Sequence, residues 1–282
     1  MFITMGTLYL VGTPIGNLGD ISLRALDTLR TVDFVAAEDT RVSLKLLNHY
    51  DIKKPLVSYH AHNARQKGGQ ILPRLLAGES CALVTDAGMP CISDPGEELV
   101  ALCAENGVDI VVVPGPSAAV SALAVSGLPT SRFAFEGFLS TNRTSRYEHL
   151  QQIRRDAHTL IFYEAPHKLP ATLRDLLEVL GDRRVALCRE LTKMYEEVVR
   201  TTLSQAAAHY SANTPKGEFV LIVEGAAPAA ESPVSLEEAV EMVLSLQRSG
   251  AVISAAAKDV AHQTGHKKGD LYKAALTRME EG

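Results

Sequence analysis

Short apolar runs, each closed by a turn and followed by a helical stretch, recur through the first half of this chain and limit what it can fold into. The runs are Leu8–Val11, Phe34–Ala37, Pro55–Tyr59, Cys81–Val84 and Asp109–Val113. Helices are expected from Ser22 to about Thr31, then from Arg41 to about Tyr50 with Leu44, Leu46 and Leu47 on its apolar face. Others cover Ala64–Ala77, Glu97–Asn106 and a stretch capped by Ser117 that runs to Ser126. Such alternation predicts a mostly parallel sheet with helices on both faces, joined by right-handed crossovers.

Two breakers in Gly127-Leu128-Pro129 mark a boundary. Beyond it Phe133–Phe138, Thr159–Tyr163, Val185–Arg189, Glu196–Thr202 and Glu218–Val223 read as strands, the last two as an antiparallel pair. A helix is expected over Leu169–Leu180, and Ala226–Val234 reads as a linker. Three short helices follow, Leu236–Arg248, Ile253–His262 and Gly269–Met279. The expected fold class is α/β, with domains 1–127 and 128–225 facing each other across a cleft. A linker at 226–234 leads to a helical module at 235–282.

A chain of 282 residues can build two cores. Its net charge of −5 removes any global basic field, so a nucleic-acid partner would have to meet local charge. Between residues 248 and 278 the last helices supply some: Arg248, Lys258, Lys267, Lys268, Lys273 and Arg278 stand against only Asp259 and Asp270. Those helices suit either a nucleic-acid contact or a solvated cap. Cys81, Cys91, Cys103 and Cys188 lack any C-x-x-C spacing and read as reduced thiols. His60 and His62 have no fitting third ligand, so no metal is expected. The apolar start of the chain lacks a basic n-region and reads as strand, and no run of 18 apolar residues predicts a membrane span.

The loop from Thr85 to Gly96, T-D-A-G-M-P-C-I-S-D-P-G, is the most informative. Gly88 and Gly96 permit close backbone approach, Pro90 and Pro95 stiffen the loop, and Asp86 and Asp94 put carboxylates at its ends. Open α/β sheets bind ligands at such strand exits. The same residues also suit a tight connection in which Asp94 caps the next helix. Loops 12–20, 114–118 and 163–168 are built similarly and point to one cleft. Glycines at 12, 16 and 19 match neither the dinucleotide nor the P-loop spacing. Backbone polar groups with apolar flanks suit a flat heterocycle and an amino-acid group, whose carboxylate the helix start at Ser117 could receive.

Several segments up to about Gly225 carry a resemblance: L-Y-L-V-G-T-P-I-G-N-L-G-D, T-D-A-G-M-P-C-I-S-D-P-G and V-V-P-G-P-S-A-A. On these the chain resembles the tetrapyrrole methylase superfamily, the class III S-adenosylmethionine-dependent methyltransferases. The segments A-A-E-D-T-R, Y-E-A-P-H-K-L and K-G-E-F-V-L-I-V-E-G are similar to its RNA-methylating branch, which acts on a cytidine 2′-hydroxyl in the decoding centre of 16S ribosomal RNA. The resemblance implies S-adenosylmethionine as cofactor, the small ribosomal subunit as partner, a homodimer and a cytoplasmic location. It implies cofactor contacts at Asp86, Ala87, Gly88, Cys91, Ser117 and Ala118, joined by Ile15, Glu164 and Leu191. Tetrapyrrole enzymes often carry G-G-D where this chain has Asp86-Ala87-Gly88, a departure in the central loop. Methylation of a tetrapyrrole carbon and a non-catalytic ribosome-assembly role remain as alternatives.

Methyl transfer to a ribose hydroxyl needs alignment and a group to remove the proton. Lys168 is a candidate base, with surface contact to phosphate as its other reading. Asp39 and Arg41 are candidates to orient the ribose or bind its phosphate, or else a helix-end carboxylate and its ion-pair partner. Arg24, Arg41, Arg65, Lys67, Arg143, Arg146, Arg154 and Arg155 are the supply of positive charge for RNA. Aromatic content of 5% without tryptophan argues against a base-stacking platform.

Overall fold

The structure, a computed structural model, describes residues 5–227 and 234–280. Residues 228–233, most of the expected linker, lie outside the described residues, as do the first four of the apolar start. The chain divides into two compact units, Met1–Gly225 and Ala226–Gly282.

Five parallel strands open the first unit: β1 (Thr7–Val11), β2 (Phe34–Ala37), β3 (Leu56–Ser58), β4 (Cys81–Val84) and β5 (Asp109–Val113). Their order is β3-β2-β4-β1-β5. Because side chains alternate across a sheet, each short run feeds two cores. Leu8, Phe34, Ala36, Cys81 and Leu83 pack on one face with Tyr59, Ile71 and Leu99. Val11, Val35, Ala37, Ala82 and Val84 pack on the other with Leu26 and Leu29. Burial on both faces explains why β2 and β4 are apolar throughout. The covering helices are α1 (Leu23–Thr31), α2 (Thr40–His49), α3 (Ala64–Leu76) and α4 (Glu97–Glu105). On α2 only Leu47 of the three expected leucines is buried; Leu44 is 47% exposed, since one turn of contact suffices on this short helix.

Helix α5 (Ala118–Ser126) follows β5 but does not return to the first sheet. Its Ala119, Ala122 and Leu123 pack instead on a second sheet, against Ile161, Ala186, Cys188 and Ile222. Although α5 precedes the breakers at 127, it thus joins the two halves. The second sheet runs β6 (Phe133–Phe138), β7 (Thr159–Glu164), β10 (Phe219–Val223), β8 (Arg184–Arg189), β9 (Glu197–Thr202). Only β6 and β7 are parallel. The expected pairing of the last two strands is not formed: each pairs antiparallel with β8, which lies between them. Helices α6 (Arg143–Ile153), α7 (Leu169–Leu180) and α8 (Leu203–Ala212) cover the other face, and of these only α7 is expected from the sequence. Leu160, Phe162 and Leu221, fully buried there, each contribute about 1.5–3 kcal/mol.

The second unit is a three-helix cluster of α9 (Leu236–Arg248), α10 (Ile253–Thr264) and α11 (Lys268–Glu280). Ala239, Val243, Ala257, Val260, Leu271 and Ala275 form its core. A reciprocal cap between Ser235 and Glu238 starts α9, and left-handed Gly265 ends α10. Among the described residues no helix is long and apolar enough to cross a membrane.

Candidate active site

Three loops at the C-terminal ends of first-sheet strands are locked together through backbone. Thr13 N–H donates to the Gly88 carbonyl at 2.9 Å and Gly88 N–H returns a bond to Thr13 at 3.1 Å. Gly12 and Gly115 pass so closely that a Cβ on Gly12 would stand 2.7 Å from the Gly115 Cα. That contact brings loop 114–118, and the start of α5 with it, onto loop 12–20. Since α5 also packs on the second sheet, a cavity of about 480 Å³ forms between the two sheets, within the usual size range for small-molecule sites.

Of the nine expected cofactor residues, Ile15, Asp86, Ala87, Gly88, Ser117, Ala118, Glu164 and Leu191 line this cavity. Cys91 does not. Its φ of +72° directs the thiol at Gly96, where an added Cβ would meet the sulfur at 2.6 Å. The start of α5 is also closed in part: Tyr163 hydroxyl accepts from Ala119 N–H at 3.1 Å, and the Ser117 hydroxyl caps Val120. A cofactor carboxylate therefore does not find those two amides free. Glu164 is buried and accepts bonds from Thr172 hydroxyl at 2.5 Å and Ala165 N–H at 2.8 Å, so it shapes the wall.

The three candidate catalytic residues stand outside the lining. Asp39 caps α2, accepting from Arg41 N–H at 2.8 Å, and forms a 2.6 Å ion pair with the Arg41 guanidinium. Those bonds hold the Asp39 carboxyl down at about 2, too acidic for a useful base. Arg41 projects into solvent with its side chain 87% exposed. Lys168, half-buried, occupies the N-terminal cap position of α7 and makes no side-chain capping bond.

Six carboxylates line the cavity, Glu38, Asp86, Asp94, Glu164, Glu190 and Glu218, against the single amine of Lys193. Lys193 is held by Glu190 at 2.9 Å and Glu218 at 2.8 Å. Asp94, expected as a helix cap, lines the cavity instead: Gly96 is the cap residue of α4, and no side chain bonds there. Burial first, then the nearby Glu38 and Asp86, push the Asp94 carboxyl up to about 6, with Thr85 opposing. Burial likewise raises Asp86, although Asp39 N–H bonds it at 3.1 Å. A negative pocket with apolar walls at Ile15, Met89, Leu191 and Phe219 fits a ligand that joins a cationic centre to a flat ring. S-adenosylmethionine, with its sulfonium, ammonium and adenine, is such a ligand. Among the described residues no cluster of His, Cys, Asp and Glu is arranged to hold a metal ion.

Of the arginines expected to meet RNA, Arg146 is excluded. It is buried, paired with Asp175 at 2.5 Å and bonded to the Ser140 carbonyl at 2.9 Å. Arg24, Arg41, Arg65, Arg143, Arg154 and Arg155 are exposed.

Residues 7–207 match the family model described as Tetrapyrrole (Corrin/Porphyrin) Methylases. The chain is 47% identical over 279 residues to a Synechocystis protein named ribosomal RNA small subunit methyltransferase I, covering 99% of this chain and 100% of that one. A Halalkalibacterium halodurans protein of the same name is 48% identical over 270 residues, 95% of this chain and 93% of its own. A Thermotoga maritima protein of that name is 48% identical over 221 residues, 78% of this chain but 99% of its own. Among solved structures, diphthine synthase superposes with a TM-score of 0.59 at 16% identity, over 78% of this chain and 90% of that one. A Thermus thermophilus uroporphyrin-III C-methyltransferase complexed with S-adenosylhomocysteine gives 0.54 at 21%, over 77% and 97%. At these identities the two structures speak to the fold alone.

Proposed function

The chain belongs to the tetrapyrrole methylase family, and on that premise we propose that it uses S-adenosylmethionine to methylate 16S ribosomal RNA in the small ribosomal subunit, at a cytidine 2′-hydroxyl of the decoding centre. The observation that carries this reading is the 47% identity to a named ribosomal RNA methyltransferase across the full length of both chains. The negative, apolar-walled cavity supports the donor. Exposed Arg41, beside the cavity residue Asp86 through the Asp39 link, supports a phosphate contact near the reacting ribose.

When bound, S-adenosylmethionine supplies an electrophilic methyl group. The chain's own part is to hold two partners in line, which carries much of the rate in such displacements. The interlocked loops at Gly12, Gly88 and Gly115 supply rigid walls for that purpose. Because the whole protein is acidic, RNA affinity depends on local arginines and falls steeply with salt. A homodimer fits the apolar side chains left exposed on the edge strand β5 (Val112, 54%) and on α5 (Val120, 57%), and sedimentation at micromolar concentration tests it. The same reading has the protein act in the cytoplasm.

The experiment is to incubate the protein with methyl-labelled S-adenosylmethionine and either small ribosomal subunits or a porphyrinogen. Label in alkali-resistant dinucleotides is expected; label in the macrocycle, or in neither, overturns the reading. The same assay examines the basic helices. The 221 matched residues that make up 99% of the Thermotoga relative are close in number to the first unit alone. Deleting residues 226–282 is therefore expected to leave donor affinity unchanged while weakening RNA binding about tenfold, the size of one or two lost phosphate contacts. Unaltered affinity for the ribosomal substrate would remove the helices from RNA recognition.

A further inference from the structure

We propose that a second, smaller cavity, between loop 12–20 and α2, receives the cytosine of the target nucleotide, a proposal that rests on the reading of the acceptor as a cytidine ribose. This cavity holds about 250 Å³ against about 480 Å³ for the donor cavity, a size that suits a single heterocyclic ring. Loop 12–20 lends it Pro14 and Leu18, and α2 lends it Val42 and Leu46, so a flat base meets apolar side chains from two elements. The two cavities adjoin. Asp86 lines both, and Thr85, which lines the smaller one, bonds Glu38 of the donor cavity through its hydroxyl at 2.8 Å. A base seated here has its sugar within reach of the methyl donor.

The lining is held in place before any ligand arrives. Tyr50 hydroxyl donates to the Leu18 carbonyl at 2.5 Å, tying loop 12–20 to the end of α2. Asn17 side chain accepts from Gly19 N–H at 3.0 Å, and Thr13 hydroxyl donates to the Thr85 carbonyl at 3.1 Å. Walls fixed in this way lose little freedom on binding. Two polar groups on them are left over. Ser43 is only 3% exposed, yet its hydroxyl has no hydrogen-bond partner among the described residues. A hydroxyl inside a helix can bond the carbonyl four residues back, as Thr28 does with Arg24 at 2.8 Å; Ser43 does not. A buried polar group left unpaired is costly, and a ligand at this wall would satisfy it. The second group is Asp86, whose Oδ1 accepts from Asp39 N–H at 3.1 Å while Oδ2 has no donor among the described residues.

One free carboxylate oxygen and one free hydroxyl match the pairing edge of cytosine. Its exocyclic amine can donate to Asp86, and its ring nitrogen or carbonyl can accept from Ser43. Uracil carries a carbonyl in place of that amine, so its lone pairs would face the carboxylate and the site would reject it. The rim supplies charge for the nucleotide's phosphates. Lys45 lines the cavity, and Arg41, with its side chain 87% exposed, stands one turn earlier on the same face of α2. A nucleotide that enters a closed cleft must leave its stack, and contacts to the displaced base offset that cost.

The test uses the full chain, saturating S-adenosylmethionine, and small ribosomal subunits whose target cytidine is kept or replaced by uridine. The wild type should label the cytidine subunits and discriminate strongly against uridine. Leu46→Trp, which fills the cavity, should lower kcat/KM by about 10²-fold, the size of a misplaced acceptor. Ser43→Ala should lower it about fivefold, the size of one lost hydrogen bond. Both should bind the donor within about threefold of wild type by calorimetry. Thermal stability of Ser43→Ala should be equal or higher, since an unpartnered hydroxyl is removed from a helix; this separates recognition from packing. Asp86 also faces the donor, so Asp86→Asn is read by a ratio that donor effects leave alone. An amide can donate to the uracil carbonyl, and the preference for cytidine should shrink about tenfold. Equal labelling of cytidine and uridine subunits by the wild type overturns the proposal while leaving RNA methylation standing. So does a Leu46→Trp rate within about threefold of wild type, or a loss of donor affinity in that variant while it remains folded, which would give the cavity to the donor. If the wild type labels no RNA, the acceptor reading fails first and takes this one with it.

Discussion

Replacing Gly88 by valine is expected to abolish S-adenosylmethionine binding, weakening it at least 100-fold, about 2.7 kcal/mol. Gly88 has φ of +87° and exchanges two backbone bonds with Thr13, so its conformation is tied to loop 12–20. A Cβ there would stand 3.5 Å from Ile15 Cγ2 and 3.6 Å from the Pro116 carbonyl oxygen, ordinary contact distances. Alanine therefore meets no clash and suffers only the left-handed backbone, about 1–2 kcal/mol. Valine adds two γ-carbons, which have only the cavity, Ile15 and the Pro116 carbonyl to occupy. Calorimetry on both variants separates the two effects. Alanine should lose stability while still binding, and valine should show no heat of binding although it remains folded. Wild-type affinity in the valine variant would mean that this loop is only a connection.

How far the sequence foretold this arrangement depended on whether a feature was local. Runs such as Phe34–Ala37 and Cys81–Val84 are buried on both faces of one sheet, so their ends coincide with their apolar content. Strand partners are not local. Glu197–Thr202 and Phe219–Val223 are both good β-formers, yet β8 separates them, and nothing in either run encodes that. Helix α8 was missed because β9 passes into it without a breaker, Thr202 serving as both strand end and cap. On α2 the leucine spacing promised a wider buried stripe than the sheet covers, leaving Val42 and Leu44 exposed.

The site divides along the same line. Glycines and prolines at strand exits announced a pocket, because only those residues allow Gly12 to touch Gly115 or Gly88 to hold its turn. The state of Asp94 could not be read that way. Its raised pKa arises from burial first and then from Glu38, which is 56 positions earlier in the chain. Thr85 is the one visible hint, since it adjoins Asp86 in sequence and bonds Glu38 in space. Charge alone also misled: an arginine in a polar stretch reads as surface, yet Arg146 lies on α6 with its partner Asp175 on α7.

That arginine carries the largest expected loss of stability. Arg146 donates to the Asp175 carboxylate through Nε at 2.7 Å and Nη2 at 2.5 Å, and its Nη1 reaches the Ser140 and Thr141 carbonyls. The side chains are 11% and 8% exposed, so water cannot replace a lost partner. Arg146→Ala leaves the Asp175 carboxylate, inside the packing of α6 and α7, with only the exposed Arg143 at 3.9 Å, and should cost about 3–5 kcal/mol in urea unfolding. Asp175→Leu strands the guanidinium and should cost nearly as much, less whatever the two carbonyls retain. The double variant Arg146→Met/Asp175→Leu removes both charges and should recover most of the loss, because an apolar pair of similar volume replaces a desolvated ion pair at little net cost. RNA affinity discriminates between packing and recognition. If Arg146 served RNA, the double variant would bind ribosomal RNA as poorly as the single one. With the guanidinium enclosed by Asp175 and two carbonyls, RNA affinity is expected to return with the fold.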